Sequence, residues 1–136
     1  MIIGVISDTH IPTKVKALPP IVIETFKGVD LIIHAGDICT FDVLAELSKL
    51  APVKAVTGNV DPPVLRKKLT ERLELELAGF KIGVTHGHNV RGHILDKLEY
   101  VFPDVDIIIF GHTHSPYNLM IDDKLYFNPG SPTDRR

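Results

Sequence analysis

A series of short apolar runs limits the possible folds of this chain more than any other feature. Nearly every run is followed by a residue that can bind a metal ion. The runs are five or six residues long and rich in Ile and Val, which is typical of strands buried inside a sheet. Open α/β sheets bind their ligands at the carboxyl ends of their strands, so we expect these residues to converge on one pocket. They are Asp8, His10, Asp37, Asn59, His86, His112 and His114.

The first half of the chain predicts strands that alternate with helices, the pattern of a parallel sheet. Pro20 can begin a helix, because proline is tolerated in the first helical turn. Thr40 is a suitable N-cap for the next helix, and Pro52 ends it. The expected strands are 1–7, 30–35 and 53–57, and the expected helices are 20–27 and 41–50.

The second half predicts two hairpins with one helix between them. The alternating RLELEL segment and the strand that follows it are joined by a turn at Ala78-Gly79. We expect an α/β fold, specifically a four-layer α/β/β/α sandwich with two mixed β-sheets, in a single domain spanning 1–136. The expected elements are strands 72–77 and 80–85, a helix at 92–101, a buried strand at 105–110, and strands 117–121 and 125–128 around a turn.

The end of the sequence predicts an open edge in one of the sheets. The chain stops at PTDRR, and no strand follows that would close an edge, so a C-terminal strand is expected to be missing. An unclosed edge would favour a homo-oligomer.

Composition narrows the class of partner. Lys and Arg number 15 against 17 for Asp and Glu, a net charge of −2, which argues against nucleic acid as a partner because such binding relies on basic side chains. No signal peptide and no apolar stretch of about 18 residues is present, so no membrane association is expected. One cysteine, Cys39, excludes an internal disulfide and fits a cytoplasmic protein.

Imidazole, carboxylate and amide groups together suit a pair of transition-metal ions. Taken singly, Asp8 and Asp37 could equally cap a helix or a turn, and Gly58-Asn59 could be a plain turn. The paired histidines in THGH and GHTH favour the metal interpretation, because four histidines after strands are more than core packing requires. Seven ligands without paired cysteines do not suit a structural zinc site, and neither a nucleophile elbow nor a Walker loop is present.

The motifs SDTH, AGD, TGN, THGH, GHTH and NPGS together resemble the calcineurin-like metallophosphoesterase superfamily, in particular its small bacterial and archaeal phosphodiesterases. The resemblance covers essentially the whole chain and implies the four-layer sandwich. It also implies a ligand set in which Asp37 bridges two metal ions. One ion would be held by Asp8, His10 and His114, and the other by Asn59, His86 and His112.

The resemblance implies a metal-dependent phosphodiesterase that hydrolyses phosphate diesters with hydroxide activated by two divalent ions. The substrate is expected to be a small phosphodiester contacted by Asn59, His88 and Thr113. Mn²⁺ is the expected cofactor, although these ligands also accept Ni²⁺, Fe²⁺, Co²⁺ or Zn²⁺.

One position departs from the family pattern. Many members carry a histidine directly after the Gly-Asn pair as the acid that protonates the leaving group, but this chain has Val60. His88 is the candidate replacement for that catalytic acid, although it could equally order its loop or support His86. Thr113 could likewise shape its loop only. His34, inside a predicted strand, is expected to pack or to support a ligand.

The alternative is a non-catalytic protein-binding scaffold on the same fold, like the retromer subunit of this superfamily. Val60 favours the scaffold, whereas the complete set of seven ligands favours the enzyme. A nuclease fits less well, because the chain lacks a row of aromatic side chains on which bases could stack.

Overall fold

The computed structural model describes residues 1–12, 16–88 and 93–134. In these residues the chain forms four helices, which are α1 (Pro20–Thr25), α2 (Phe41–Ser48), α3 (Pro63–Lys68) and α4 (Ile94–Val101). It forms eight strands, which are β1 (Ile3–Ile6), β2 (Leu31–His34), β3 (Val53–Ala55), β4 (Arg72–Leu77), β5 (Phe80–Thr85), β6 (Ile107–Ile109), β7 (Tyr117–Ile121) and β8 (Lys124–Asn128).

The strands form two sheets. The first has the order β1-β2-β3, and both of its pairings are parallel. The second has the order β4-β5-β6-β8-β7, in which the β4–β5 and β7–β8 hairpins are antiparallel and the central pairings are parallel. The expectation that both sheets are mixed is therefore wrong for the first, because its strands are joined only by helical crossovers.

Three apolar clusters separate four layers and confirm the α/β/β/α sandwich. Alternate residues of a strand point to opposite faces, so in β2 Ile32 packs toward the helices while Leu31 and Ile33 pack toward the second sheet. In β6, Ile109 belongs to the layer between the sheets, and Ile108 packs under α4. The two sheets thus face each other, with helices on both outer surfaces.

Each sheet receives an aromatic ring from a helix end at a strand glycine. A Cβ atom at Gly4 would lie 2.9 Å from the ring of Phe26, and one at Gly83 would lie 2.6 Å from the ring of Phe102. Only a residue without a side chain admits the rings at these positions. The glycines therefore set how closely α1 and α4 approach their sheets.

The main difference from the sequence-based expectation is α3. The adjacent prolines Pro62 and Pro63 are typical of a loop, but Pro63 occupies the first helical position, where proline is tolerated. Leu65 is fully buried, and the burial of its side chain holds the short helix in place. The predicted start of α4 at residue 92 lies outside the described residues. In the part of the chain that is described, no helix has the length and apolar character needed to cross a membrane.

Candidate metal centre

Ligand-type side chains from both sheets meet beyond the carboxyl ends of β1, β2, β5 and β6. The Oδ1 atom of Asp8 is faced by the Nε2 atoms of His114 at 3.3 Å, His86 at 3.6 Å and His10 at 3.7 Å. The Oδ2 atom of Asp37 is faced by His86 Nε2 at 3.0 Å and His10 Nε2 at 3.4 Å. Two carboxylates and three imidazoles thus point at a common centre.

Four of these five separations are those expected of atoms that share a metal ion. With ligand bonds of about 2.0–2.2 Å, two ligands of one ion lie about 3–3.6 Å apart. Asp8, His10 and His114, here the first ligand group, place one ligand atom each within 4.8 Å of the others. Asp8, Asp37 and His86 satisfy the same condition.

Two atoms of the first ligand group are close to other ligand atoms but make no hydrogen bond to any described residue. Asp8 Oδ1 and His10 Nε2 are buried and make no hydrogen bond within the described parts of the chain. An unsatisfied buried polar atom costs about 1–3 kcal/mol, and nearly all such atoms in folded proteins are paired. A divalent cation would satisfy both atoms at once, so the residues present fit a metal ion.

Asn59 and His112 lie beside Asp37 and His86, and the four are here called the second ligand group. Asn59 Oδ1 is 3.1 Å from His86 Nε2, and the His112 ring centre is 5.2 Å from that of His86. The His112 backbone N–H donates to Asp8 Oδ2 at 3.0 Å. Asn59 is exposed and His112 half-buried, so this group faces solvent on one side.

The backbone of the ligand loops is unusual. Positive φ angles are uncommon outside glycine and cost about 1–3 kcal/mol each, so they persist only where the surrounding structure enforces them. Five of the seven predicted ligands have such angles, and this clustering indicates a functional site. They are Asp8 at 55°, His10 at 49°, Asp37 at 58°, His112 at 70° and His114 at 61°.

The closest electrostatic pair in the site is Asp37 and His86. Burial alone would raise the pKa of Asp37, but the hydrogen bond and charge of His86 outweigh it and lower the pKa to about 2. Burial opposes the charged form of His86 as well, yet Asp37 raises its pKa above the ordinary value. Without a metal ion, the two groups therefore hold each other in a carboxylate–imidazolium pair.

Asp61 is a site residue for which the sequence pattern assigns no role. Its side chain is buried and accepts four backbone hydrogen bonds, from Asp37 at 3.0 Å, Ile38 at 2.8 Å, Cys39 at 2.8 Å and Gly58 at 2.7 Å. One carboxylate therefore ties the Asp37 loop to the Asn59 loop. In the sequence, only its position two residues after the Gly-Asn pair could have indicated that Asp61 belongs to the site.

His34 supports the ligand loops through hydrogen bonds, as expected. Its Nδ1 accepts the Gly36 N–H at 3.1 Å, so Nε2 carries the proton and donates to Thr9 Oγ1 at 3.1 Å. Burial, followed by the charge of His86, lowers the pKa of His34 to about 3. A neutral His34 thus connects the loop after β1 to the loop after β2.

Two glycines let these loops approach each other. A Cβ atom at Gly58 would lie 2.6 Å from the backbone nitrogen of Asp37, and one at Gly111 would lie 2.7 Å from Asp8 Oδ2. Any larger residue would push the loops apart. The glycines of TGN and GHTH are thus required by the spacing of the carboxylates.

The predicted substrate contacts lie at or near the rim of the site. The His88 ring centre is 5.5 Å from that of His86 and 6.5 Å from that of His112, and burial followed by the charge of His86 lowers its pKa. The Thr113 hydroxyl accepts hydrogen bonds from Asn128 Nδ2 at 3.1 Å and the Ser115 N–H at 3.3 Å. These contacts support a loop-shaping role for Thr113, and its substrate contact stays a prediction.

Known proteins resemble this chain along its whole length. The model of the calcineurin-like phosphoesterase superfamily domain matches residues 1–136. A probable metallophosphoesterase of Methanothermobacter thermautotrophicus is 42% identical over 98% of this chain and 78% of its own length. A phosphodiesterase of Methanocaldococcus jannaschii is 32% identical over 96% of this chain and 83% of its own length.

Solved structures share the fold. Vps29 from Entamoeba histolytica, in a structure described as a Zn²⁺ complex, has a TM-score of 0.84 and 29% identity over 100% of this chain and 77% of its own. A structure described as a novel archaeal phosphodiesterase has a TM-score of 0.75 and 29% identity over 96% of this chain and 84% of its own. The family model and the archaeal relatives show that the chain belongs to the calcineurin-like phosphoesterase superfamily, and its ligand-type side chains fit the divalent metal ions that this family implies.

Proposed function

We propose that this protein is a phosphodiesterase that uses two divalent metal ions to hydrolyse small phosphate diesters. The observation that carries the proposal is the convergence of two carboxylate oxygens and three imidazole nitrogens at separations of 3.0–3.7 Å. The family and the archaeal phosphodiesterase relative support the reaction class.

Each side chain has a proposed role at the metals. The first ligand group would hold one ion, while Asn59, His86 and His112 would hold the other, with Asp37 between them. When bound, the pair of ions would polarise the phosphoryl oxygens and lower the pKa of an attacking water.

The charges of the ligands suit an anionic substrate. Asp8 and Asp37 supply two negative charges, and Asn59 and the neutral imidazoles supply none. Two divalent cations would therefore retain a net positive charge, which favours the single negative charge of a phosphodiester and the further charge that develops as it is attacked.

Departure of the leaving group is the step for which this chain lacks the usual acid. Val60 cannot donate a proton, and its side chain is 47% exposed beside the site. His88 is the proposed replacement. Because burial and the charge of His86 lower the pKa of His88, a smaller fraction of it carries the proton that a leaving group needs. We therefore expect His88 to protonate leaving groups inefficiently and the enzyme to favour aryl esters, whose leaving groups need little protonation.

The metal preference is also a proposal. Mixed nitrogen and oxygen ligands suit Mn²⁺, Fe²⁺, Co²⁺, Ni²⁺ and Zn²⁺, and we propose Mn²⁺ because three of the seven ligands, Asp8, Asp37 and Asn59, are oxygen ligands of the kind that manganese accepts. The Zn²⁺ complex of the Entamoeba histolytica relative supports Zn²⁺ as a competitor.

The test is hydrolysis of bis(4-nitrophenyl) phosphate by the full chain, stripped with EDTA and reloaded with Mn²⁺, Ni²⁺ or Zn²⁺. We expect metal-dependent turnover that exceeds turnover of the matching monoester. Asp37→Asn should reduce kcat/KM by about 10³-fold, because it removes the charge placed between the ions. Asp96→Asn, which alters an exposed Asp–His pair outside the site, is the matched control and should behave as wild type. Turnover indifferent to metal and to Asp37→Asn would exclude the proposal.

A protein-binding scaffold is the second candidate, and Val60 in place of the leaving-group acid favours it. Because a Vps29 structure is described as a Zn²⁺ complex, metal binding alone does not separate the two functions. Turnover does separate them. Full metal occupancy with no hydrolysis of any aryl diester would reject the enzyme and favour the scaffold.

A further inference from the structure

Asp134 lies against a predicted metal ligand from the side opposite the metal centre. The His114 ring is almost completely buried, with Nε2 at 3.3 Å from Asp8 Oδ1 and Nδ1 at 3.1 Å from Asp134 Oδ2. A neutral imidazole carries one proton. The contact is an ion-pair approach and not an aligned hydrogen bond, and the negative charge beside Nδ1 favours the proton on that nitrogen, which leaves the Nε2 lone pair directed at the metal centre.

The Asp134 carboxylate is held in place by the loop of the first ligand group. The Asp134 backbone N–H donates to Ser131 Oγ at 3.0 Å, and Ser131 Oγ donates to the Asp8 carbonyl at 2.7 Å. Thr133 Oγ1 donates to the Thr9 carbonyl at 2.9 Å. The late segment is thus fixed to the loop that carries Asp8 while its carboxylate contacts a ligand from the second sheet.

The contrast with His86 shows what Asp134 adds. His86 Nδ1 donates to a neutral backbone carbonyl, that of Ala35, at 2.8 Å. An anionic partner stabilises the Nδ1–H form more strongly than a neutral one, and it increases the electron donation of the opposite nitrogen to a metal ion. Of these two histidines, His114 is therefore the one whose proton position depends on a side chain that substitution can change.

We propose that Asp134 is a positioning residue that fixes the Nδ1–H form and the ring orientation of His114 for binding of the ion in the first ligand group. The proposal rests on the proposed metal-dependent function. It assigns a chemical role to the segment that follows the NPGS motif.

The experiment compares wild type, Asp134→Asn and Asp134→Glu. Mn²⁺ affinity is measured by isothermal titration calorimetry. The His114 Nδ1–H signal is read from ¹⁵N–¹H NMR of the Zn²⁺-loaded protein, which is diamagnetic, and is assigned with a His114→Gln variant. We expect Asp134→Asn to weaken the tighter Mn²⁺ site about 10–100-fold, to shift and broaden the His114 Nδ1–H signal, and to leave that of His86 unchanged. Asp134→Glu should restore part of both signals, because it returns the carboxylate.

Asp96→Asn is the control, since it removes the same charge from an exposed pair with His93 and should change neither readout. Wild-type protein that binds no Mn²⁺ would reject the proposed function itself. Wild-type binding with unchanged affinity and an unchanged His114 proton in Asp134→Asn would reject the role of Asp134 alone. A loss of folded structure in Asp134→Asn, seen in the same NMR spectra and not rescued by Asp134→Glu, would show a purely structural role.

Discussion

The two ligand groups differ in their exposure to solvent. Every member of the first group is buried, whereas the second combines the buried Asp37 and His86 with an exposed Asn59 and a half-buried His112. Closed sites hold an ion firmly, while catalytic sites keep an open position. We therefore expect the first group to retain its ion more firmly and the second group to leave its ion accessible to the substrate.

The ligand loops of the first sheet, which contribute to both groups, are held by two buried side chains. Asp61 and His34 fix the loops after β1, β2 and β3 through buried hydrogen bonds, which all come from backbone N–H groups except the one between His34 Nε2 and the Thr9 hydroxyl. Asn59 is further held through its own carbonyl, which accepts a hydrogen bond from Arg66 Nη2 at 2.9 Å. The carboxylates therefore come from a rigid frame, around which the second sheet places most of the imidazoles.

The largest expected effect comes from weakening that frame at Asp61. Asp61→Asn replaces one acceptor oxygen by a donor that faces two backbone N–H groups, and each unsatisfied donor costs about 1–3 kcal/mol. We expect the free energy of unfolding of the metal-free protein to fall by about 2–6 kcal/mol, as measured by urea denaturation. Unchanged stability would show that Asp61 does not hold the loops together.

Removing a ligand at the open side should have a smaller and local effect. Asn59→Ala should weaken binding of one of the two ions about tenfold or more and leave the other ion in place, as counted by Mn²⁺ electron paramagnetic resonance. Circular dichroism should match wild type, because the Asn59 side chain is exposed. Unfolding of the variant would instead show that Asn59 is a structural turn residue.

The smallest effect concerns the missing acid. The Val60 N–H donates to Asp37 Oδ1 at 3.0 Å, so position 60 lies next to the predicted metal centre. Val60→His should raise kcat/KM about tenfold for a diester with an alkyl leaving group and leave the bis-aryl substrate nearly unchanged, because only the alkyl leaving group needs protonation. Equal changes for both substrates would contradict an acid role at this position.

The sequence was sufficient for the parts of the molecule that depend on periodicity. The strands and the convergence of their terminal residues could be predicted, because the carboxyl ends of parallel strands meet at one edge. Helix α2 also agrees, with Thr40 as its N-cap and a side-chain contact to the Asp42 N–H at 3.4 Å.

The supporting residues could not be predicted, because their roles depend on loop conformation. Asp61 contacts the Asp37 loop across 24 positions of sequence, and no periodic pattern links such residues. Asp134 reaches His114 only because the late segment folds back over the loop after β1. Helix α3 was missed because its prolines favour a loop until the burial of Leu65 is taken into account.

The most direct test of the central claim is the crystal structure of the full chain grown with Mn²⁺, with anomalous diffraction recorded at the manganese edge. We expect two anomalous peaks about 3.5–4 Å apart, one contacting Asp8, His10 and His114 and the other contacting His86, with Asp37 between them. A structure in which these side chains keep their positions but bind no ion would contradict the central claim.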